Sequence, residues 1–278
     1  MLGSFTPRLA LLAAALLAAA LLAAPSAGAQ TDYYNTDTGR PIRVEDAYAT
    51  ERFALDLHLA PLTIERHGGR TAWMLDPEIA YGLLPRTQIE LGVPLAYRET
   101  GDGRRFGLAG LDLTALYNFN VETGSWPALA TRAGALLPVG RFGPDDAQPY
   151  LQGMATRTYR WARFHANVAY AFGDEPAEGA EGGEVSRWMS GLAVDKTFPL
   201  SSFLVAGEVY ASQPLEDEAD PEWTAGAGVR YQLTPFYAFD AGLAKRFTGG
   251  DQGWSFTFGL ARVLGVRVLP PGFGRWGR

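Results

Sequence analysis

The sequence contains no cysteine and only three histidines in 278 residues. The first absence excludes disulfide scaffolds, thiol catalysis and cysteine-ligated zinc. His58, His67 and His165 show no His-x-x-x-His or similar ligand spacing, so catalytic metal has no signature. Neither a Gly-x-Ser-x-Gly elbow nor a glycine-rich phosphate loop occurs, and no cofactor is expected. Basic residues are outnumbered, 24 Lys and Arg against 30 Asp and Glu, for a formal charge of −6. Nucleic acid, which needs a basic face, is excluded as a partner. No apolar run reaches the 18 residues or more of a spanning helix.

The longest such run, residues 9–24, is Leu and Ala throughout. It follows Arg8 and precedes Pro25-Ser26-Ala27-Gly28-Ala29, the basic start, apolar middle and small-residue exit of a secretory signal peptide. Cleavage after Ala29 is expected, and removal of residues 1–29 with their one arginine leaves a charge of −7. An exported chain without cysteine does not depend on oxidation to fold.

What the mature sequence has in quantity is alternation. Ile89, Leu91, Val93, Leu95 and Tyr97 oppose Gln88, Glu90 and Arg98; Trp223, Ala225, Ala227, Val229 and Tyr231 oppose Thr224, Arg230 and Gln232. Period two with one greasy and one polar face reads as strand. About twelve strands are expected, over 52–66, 70–84, 87–99, 106–120, 127–139, 148–161, 163–173, 187–198, 202–213, 222–234, 236–248 and 253–264. Most are about double the ~5–6 residues of soluble strands. Ten residues at ~3.3 Å rise and ~45° tilt cover about 23 Å, close to the ~25 Å apolar band of a membrane barrel.

The fold class read from this is all-β, an antiparallel transmembrane β-barrel over residues 52–264, preceded by a cleavable signal peptide. Short turns at 84–86, 161–162, 199–201 and 234–235 alternate with longer connections at 100–105, 140–147, 174–186, 214–221 and 249–252, as in outer-membrane barrels with short periplasmic turns. Residues 121–126 fit that alternation less well. Tyr97, Tyr117, Trp161, Trp188, Trp223 and Trp254 stand near strand ends, where amphipathic rings meet headgroups. Residues 30–51 are expected to be a periplasmic leader or an insert in the periplasmic mouth, and 265–278 a periplasmic tail.

Specific residues carry a resemblance. Asp76 to Gly82 leads into Ile89 to Leu95; Gly107 to Phe119 ends on Tyr117-Asn118-Phe119; Pro127 to Gly140 closes on Leu137-Pro138-Val139-Gly140. Together these resemble the outer-membrane transporter-like family named for the meta-pathway of phenol degradation. The resemblance implies a barrel that aids uptake of aromatic or hydrophobic compounds. Leu116 departs from the lysine of that pattern and Val139 from its threonine. Arg262-Val263-Leu264 replaces the terminal aromatic that the barrel-assembly machinery, an expected partner, reads.

With the greasy face toward outer-membrane lipid, the other parity faces the lumen. It assigns Asp56, His58, Asp76, Glu78, Glu90, Asp112, Arg132, His165, Glu208, Arg230, Asp240 and Arg246 to the lumen lining. Twelve strands fall between the eight that side chains fill and the sixteen to eighteen that leave a water channel, so a narrow or self-closed conduit is expected. Acids crowd the longer loops, among them Glu99, Glu216, Asp217, Glu218, Asp220 and Glu222. Glu216, Asp217, Glu218 and Asp220 form a weak metal candidate that would bridge lipopolysaccharide through divalent cations. The function read is a passive channel or transporter for small hydrophobic or aromatic solutes in a Gram-negative-type outer membrane, with termini in the periplasm. A lipid-contacting barrel with a closed lumen and an outer-membrane lipid hydrolase are the alternatives; no catalytic residue is assigned.

Overall fold

Alternation produces sixteen β-segments in a computed structural model that describes residues 35–36, 40–59, 62–67, 70–100, 103–173, 186–214, 220–249 and 252–266. They are β1 (Ala54–His58), β2 (Leu62–His67), β3 (Arg70–Leu75), β4 (Glu78–Leu84), β5 (Thr87–Gly92), β6 (Leu95–Thr100), β7 (Gly103–Leu108) and β8 (Leu111–Asn120). There follow β9 (Ala128–Leu137), β10 (Gln148–Thr158), β11 (Arg163–Ala171), β12 (Ser186–Phe198), β13 (Phe203–Pro214), β14 (Glu222–Thr234), β15 (Tyr237–Arg246) and β16 (Gly253–Gly265). The described residues contain no α-helix, only a 3-10 turn at Pro199–Ser201. The expected signal peptide, the loop acids Glu216, Asp217 and Glu218, and residues 267–278 lie outside the described residues.

Each of the first four spans is built from two segments, so the sixteen make twelve strands. β1 and β2 both pair antiparallel with β16, β1 also pairs β4, and the ring closes as an antiparallel barrel. Here the expectation of unbroken strands at 52–66, 70–84, 87–99 and 106–120 is corrected. The breaks lie side by side: Leu62, Leu75, Leu95 and Leu108 are successive register partners on one side of them. His58, Glu78, Gly92 and Asp112 are successive partners on the other. Proline has no N–H to give a ladder, and Pro77 and Pro94 stand in two of the gaps. Their carbonyls still accept, from Val93 N–H at 3.0 Å and Ala109 N–H at 2.8 Å.

A second correction concerns residues 100–105, expected as a long loop. β6 runs to Thr100 and β7 starts at Gly103, its register partner, so Glu99 belongs to a strand. Glu222, counted with the loop acids although the expected strand 222–234 begins with it, opens β14 and pairs with Arg246 at 3.2 Å.

The barrel is apolar outside and polar inside. Phe106, Leu113, Val168, Leu192, Phe239 and Phe258 all stand exposed on the outer face. Arg132, His165, Asn167, Asp195, Arg230 and Asp240, from strands of the same sheet, are almost fully buried within. An exposed apolar surface this extensive does not belong in water.

Candidate functional site: an occupied lumen

The polar lumen holds a piece of the chain itself. Residues 40–51, which precede β1, run along the inner wall, and Arg40, Ile42, Val44, Glu45, Asp46 and Ala47 are buried there. Contacts follow the ring of strands. Pro41 lies on Gly228 and Gly242, register partners in β14 and β15; a Cβ on Gly242 would stand 2.1 Å from the Pro41 carbonyl oxygen. The N–H groups of Arg43 and Val44 both donate to Glu208 in β13 at 2.8 Å. Glu45 N–H donates to Asn167 in β11, Ala47 N–H to Thr156 in β10, and Thr50 N–H to Gln88 in β5. A segment with few backbone partners of its own has its N–H groups met by wall side chains, as buried backbone requires.

Three charged groups fasten it further. Arg132 of β9 reaches Glu45 at 2.5 Å and Glu90 of β5 at 2.9 Å, while Gln152 also donates to Glu45 at 2.8 Å. Arg40 pairs with Asp240 at 3.1 Å, and Arg230 shares that carboxylate and donates to the carbonyl of Asn35. Asp195 receives Arg163 at 2.9 Å and His165 at 2.7 Å, and Arg163 lies 3.7 Å from Asp46. Buried charges persist only when paired and hydrogen-bonded, and here wall and segment supply each other's partners. At the mouth, burial and the nearby Glu122 carboxylate raise the Tyr48 hydroxyl above the usual tyrosine range. It stays neutral there.

Of the lumen positions expected from alternation, Glu90, Arg132, His165, Arg230 and Asp240 fall into these groups. Glu208 caps the two N–H groups of the segment. His58 lies between Asp56 and Glu78 at 3.4 Å from each, and Asp76 and Asp112 border the same small cavity of about 60 Å³. Arg246 is apart, paired with Glu222 at the far end of β15. Alternation passed over Arg163 and Asp195, although Phe164 and Val194 beside them point outward. Arg40, Glu45 and Asp46 lay beyond its reach, because residues 40–51 have no strand period.

The row Thr156–His165–Asp195 has the order of a hydroxyl, imidazole and carboxylate, with Thr156 Oγ1 3.0 Å from His165 Nδ1. All three side chains are buried in the lumen, and the hydroxyl accepts the Ala47 N–H at 2.9 Å. It fastens the segment and has no open face toward a lipid. Among the described residues no three or more His, Asp or Glu side chains are arranged so that they could hold a metal, and Asp220 is exposed.

Beside Arg43 and Glu45 of the segment the lumen opens into a cavity of about 190 Å³. Leu136, Ala169, Ala171 and Met189 line it, interleaved with Asp112, Tyr150, Gln152 and Ser186, and Arg132 borders it as well.

The model of the family described as a MetA-pathway of phenol degradation matches residues 61–264. The chain belongs to that family. An outer membrane channel from Pseudomonas putida F1, known from a crystal structure, has a similar fold at 13% identity and a TM-score of 0.56, over 79% of this chain and 98% of that one. The KdgM porin aligns at 11% identity and a TM-score of 0.49, over 75% of this chain and 98% of that one. No curated protein matches in sequence.

Leu116, at the position of the lysine in the family pattern, packs with Ala128, Ala130 and Met154 against Ala47 of the lumen segment. An aliphatic side chain suits that contact.

Proposed function

We propose that this protein is an outer-membrane channel for small solutes, hydrophobic and aromatic ones included, whose lumen is narrowed by residues 40–51. The observation that carries the reading is the segment itself, anchored at successive strands inside a barrel with an apolar outer face. What space remains is in cavities such as the one of about 190 Å³. That volume matches a single ring rather than an oligosaccharide, since an apolar cavity of about 150 Å³ takes up benzene. The fold shared with a crystallised outer membrane channel supports the location.

In this reading residues 1–29 are removed on export and the barrel-assembly machinery inserts the chain. Both termini face the periplasm, on the side of the tight turns at 85–86 and 235–236. The acidic loops, Glu216, Asp217, Glu218 and Asp220 among them, face lipopolysaccharide.

A barrel with a closed lumen is the second reading, favoured by the pairing of wall and segment charges. Planar-bilayer conductance together with liposome swelling in benzyl alcohol separates the two. Small single-channel openings and measurable swelling are expected. Silence in both assays would assign the protein to the closed-lumen class.

A further inference from the structure

The wall of the cavity of about 190 Å³ interleaves apolar and polar groups, with Leu136 the register partner of Asp112, Ala171 of Tyr150 and Ala169 of Gln152, and this lining points to a type of occupant. Its apolar groups are the aliphatic and thioether side chains of Leu136, Ala169, Ala171 and Met189. Flexible aliphatic and sulfur groups accept the flat and edge surfaces of a ring. The Tyr150 ring packs over Gly134, where a Cβ would come within 2.8 Å of it. The Tyr150 hydroxyl directs its proton to the Asp112 carboxylate, 3.2 and 3.0 Å from its two oxygens.

A carboxylate offers about four lone-pair sites, and one hydroxyl proton occupies one of them. Other polar groups of the lining are engaged with each other. Arg132 donates to Glu45 and Glu90, and Gln152 donates to Glu45 and Asn167. Asp112, the register partner of Leu136, is therefore a carboxylate with accepting capacity beside the apolar groups.

We infer that Asp112 is a specificity-determining residue of this cavity, which selects one-ring solutes bearing a hydrogen-bond donor over bare rings and over ring carboxylates. This rests on the solute-channel reading above. A site built to accept a proton discriminates strongly against a ligand that cannot provide one. A ring carboxylate would instead meet like charge at Asp112 and would need Arg43, which also lines the cavity, to hold it.

The test is ¹⁹F NMR titration of 4-fluorophenol, 4-fluorotoluene and 4-fluorobenzoate into the full-length protein in nanodiscs, with empty nanodiscs subtracted for partition into lipid. Folding of each variant is checked by heat-modifiable gel migration. For the native protein 4-fluorophenol is expected to bind most tightly. Asp112→Leu is expected to weaken 4-fluorophenol about tenfold or more, as loss of a hydrogen bond to a charged group does, and to leave 4-fluorotoluene unchanged.

Tyr150→Phe separates recognition from a structural role. Removing the internal donor frees a lone pair, so 4-fluorophenol binding is expected to hold or tighten, whereas a merely structural role predicts loss. Met189→Trp, which fills the cavity, is expected to abolish binding of both neutral ligands. The inference is overturned if Asp112→Leu weakens both neutral rings alike or neither, if Tyr150→Phe weakens 4-fluorophenol, or if 4-fluorobenzoate binds as tightly as 4-fluorophenol. Asp112-dependent binding in a protein silent in bilayers would preserve the subsite and remove the channel. Openings without such binding would do the reverse.

Discussion

The Arg132 guanidinium of the barrel wall lies 2.5 Å from the Glu45 carboxylate of the lumen segment, and both side chains are at most 5% exposed. Each supplies counter-charge to the other inside the lumen, where Glu90 is a second carboxylate on the same guanidinium. Glu90, 2.9 Å from the same guanidinium, remains as a counter-charge when Glu45 is removed, so the loss falls on the attachment of the segment. Glu45→Ala is therefore expected to loosen residues 40–51 while the strand ladders keep the barrel closed. Single-channel conductance should rise above that of the native protein, with heat-modifiable migration retained. Unchanged conductance would show that Arg132 and Glu45 do not hold the segment.

Sterics offer a route to the same release without altering charge. Gly228 and Gly242 face each other across β14 and β15 beneath Pro41, and neither has room for a Cβ. Gly242→Val should push Pro41 off the wall and increase conductance. A substitution of equal size at Ala241, the neighbour on the outer face, should not. Limited proteolysis at Arg40 or Arg43 gives an independent reading, with faster cleavage expected in Gly242→Val.

Leu116 belongs to the apolar contact between segment and wall. Leu116→Lys would bury an ammonium against Ala47, Ala128, Ala130 and Met154. Several kcal/mol of desolvation should appear as a lower unfolding midpoint in urea titration of the lipid-reconstituted protein. Leu116→Met, close in volume, should cost less than about 1.5 kcal/mol. Equal midpoints for the two variants would count against close packing at this contact.

The aligned breaks in the first four strands predict a local difference in opening. β7 has a strand partner only in β6, and beyond the break the loop residue Phe142 supplies one N–H to Leu108 at 2.8 Å. β13 to β15 have full ladders on both sides. Amide hydrogen exchange should be faster over residues 103–108 than over 203–213, because local openings draw on the segments with fewest partners. Uniform protection would contradict this.

The barrel was legible in the sequence because a sheet with lipid on one side and side chains on the other imposes period two on every strand. The spans expected over 127–139, 148–161 and 222–234 differ from β9, β10 and β14 by three residues or fewer. The same period placed Arg132, Glu90 and Asp240 inside. Breaks at Pro77 and Pro94 carried a local signal too, since proline cannot complete a ladder. Their alignment into one row did not, because register between strands is a tertiary quantity.

By itself the sequence determined the architecture, its twelve strands and the sign of each face, all of which follow from local alternation and turn chemistry. Only the tertiary structure decided what the inward charges do. Glu45 meets Arg132 across 87 residues of chain, and Arg40 meets Asp240 across 200. No local pattern marks residues 40–51 as the partner of the wall, because their conformation is set by side chains that closure of the barrel brings around them.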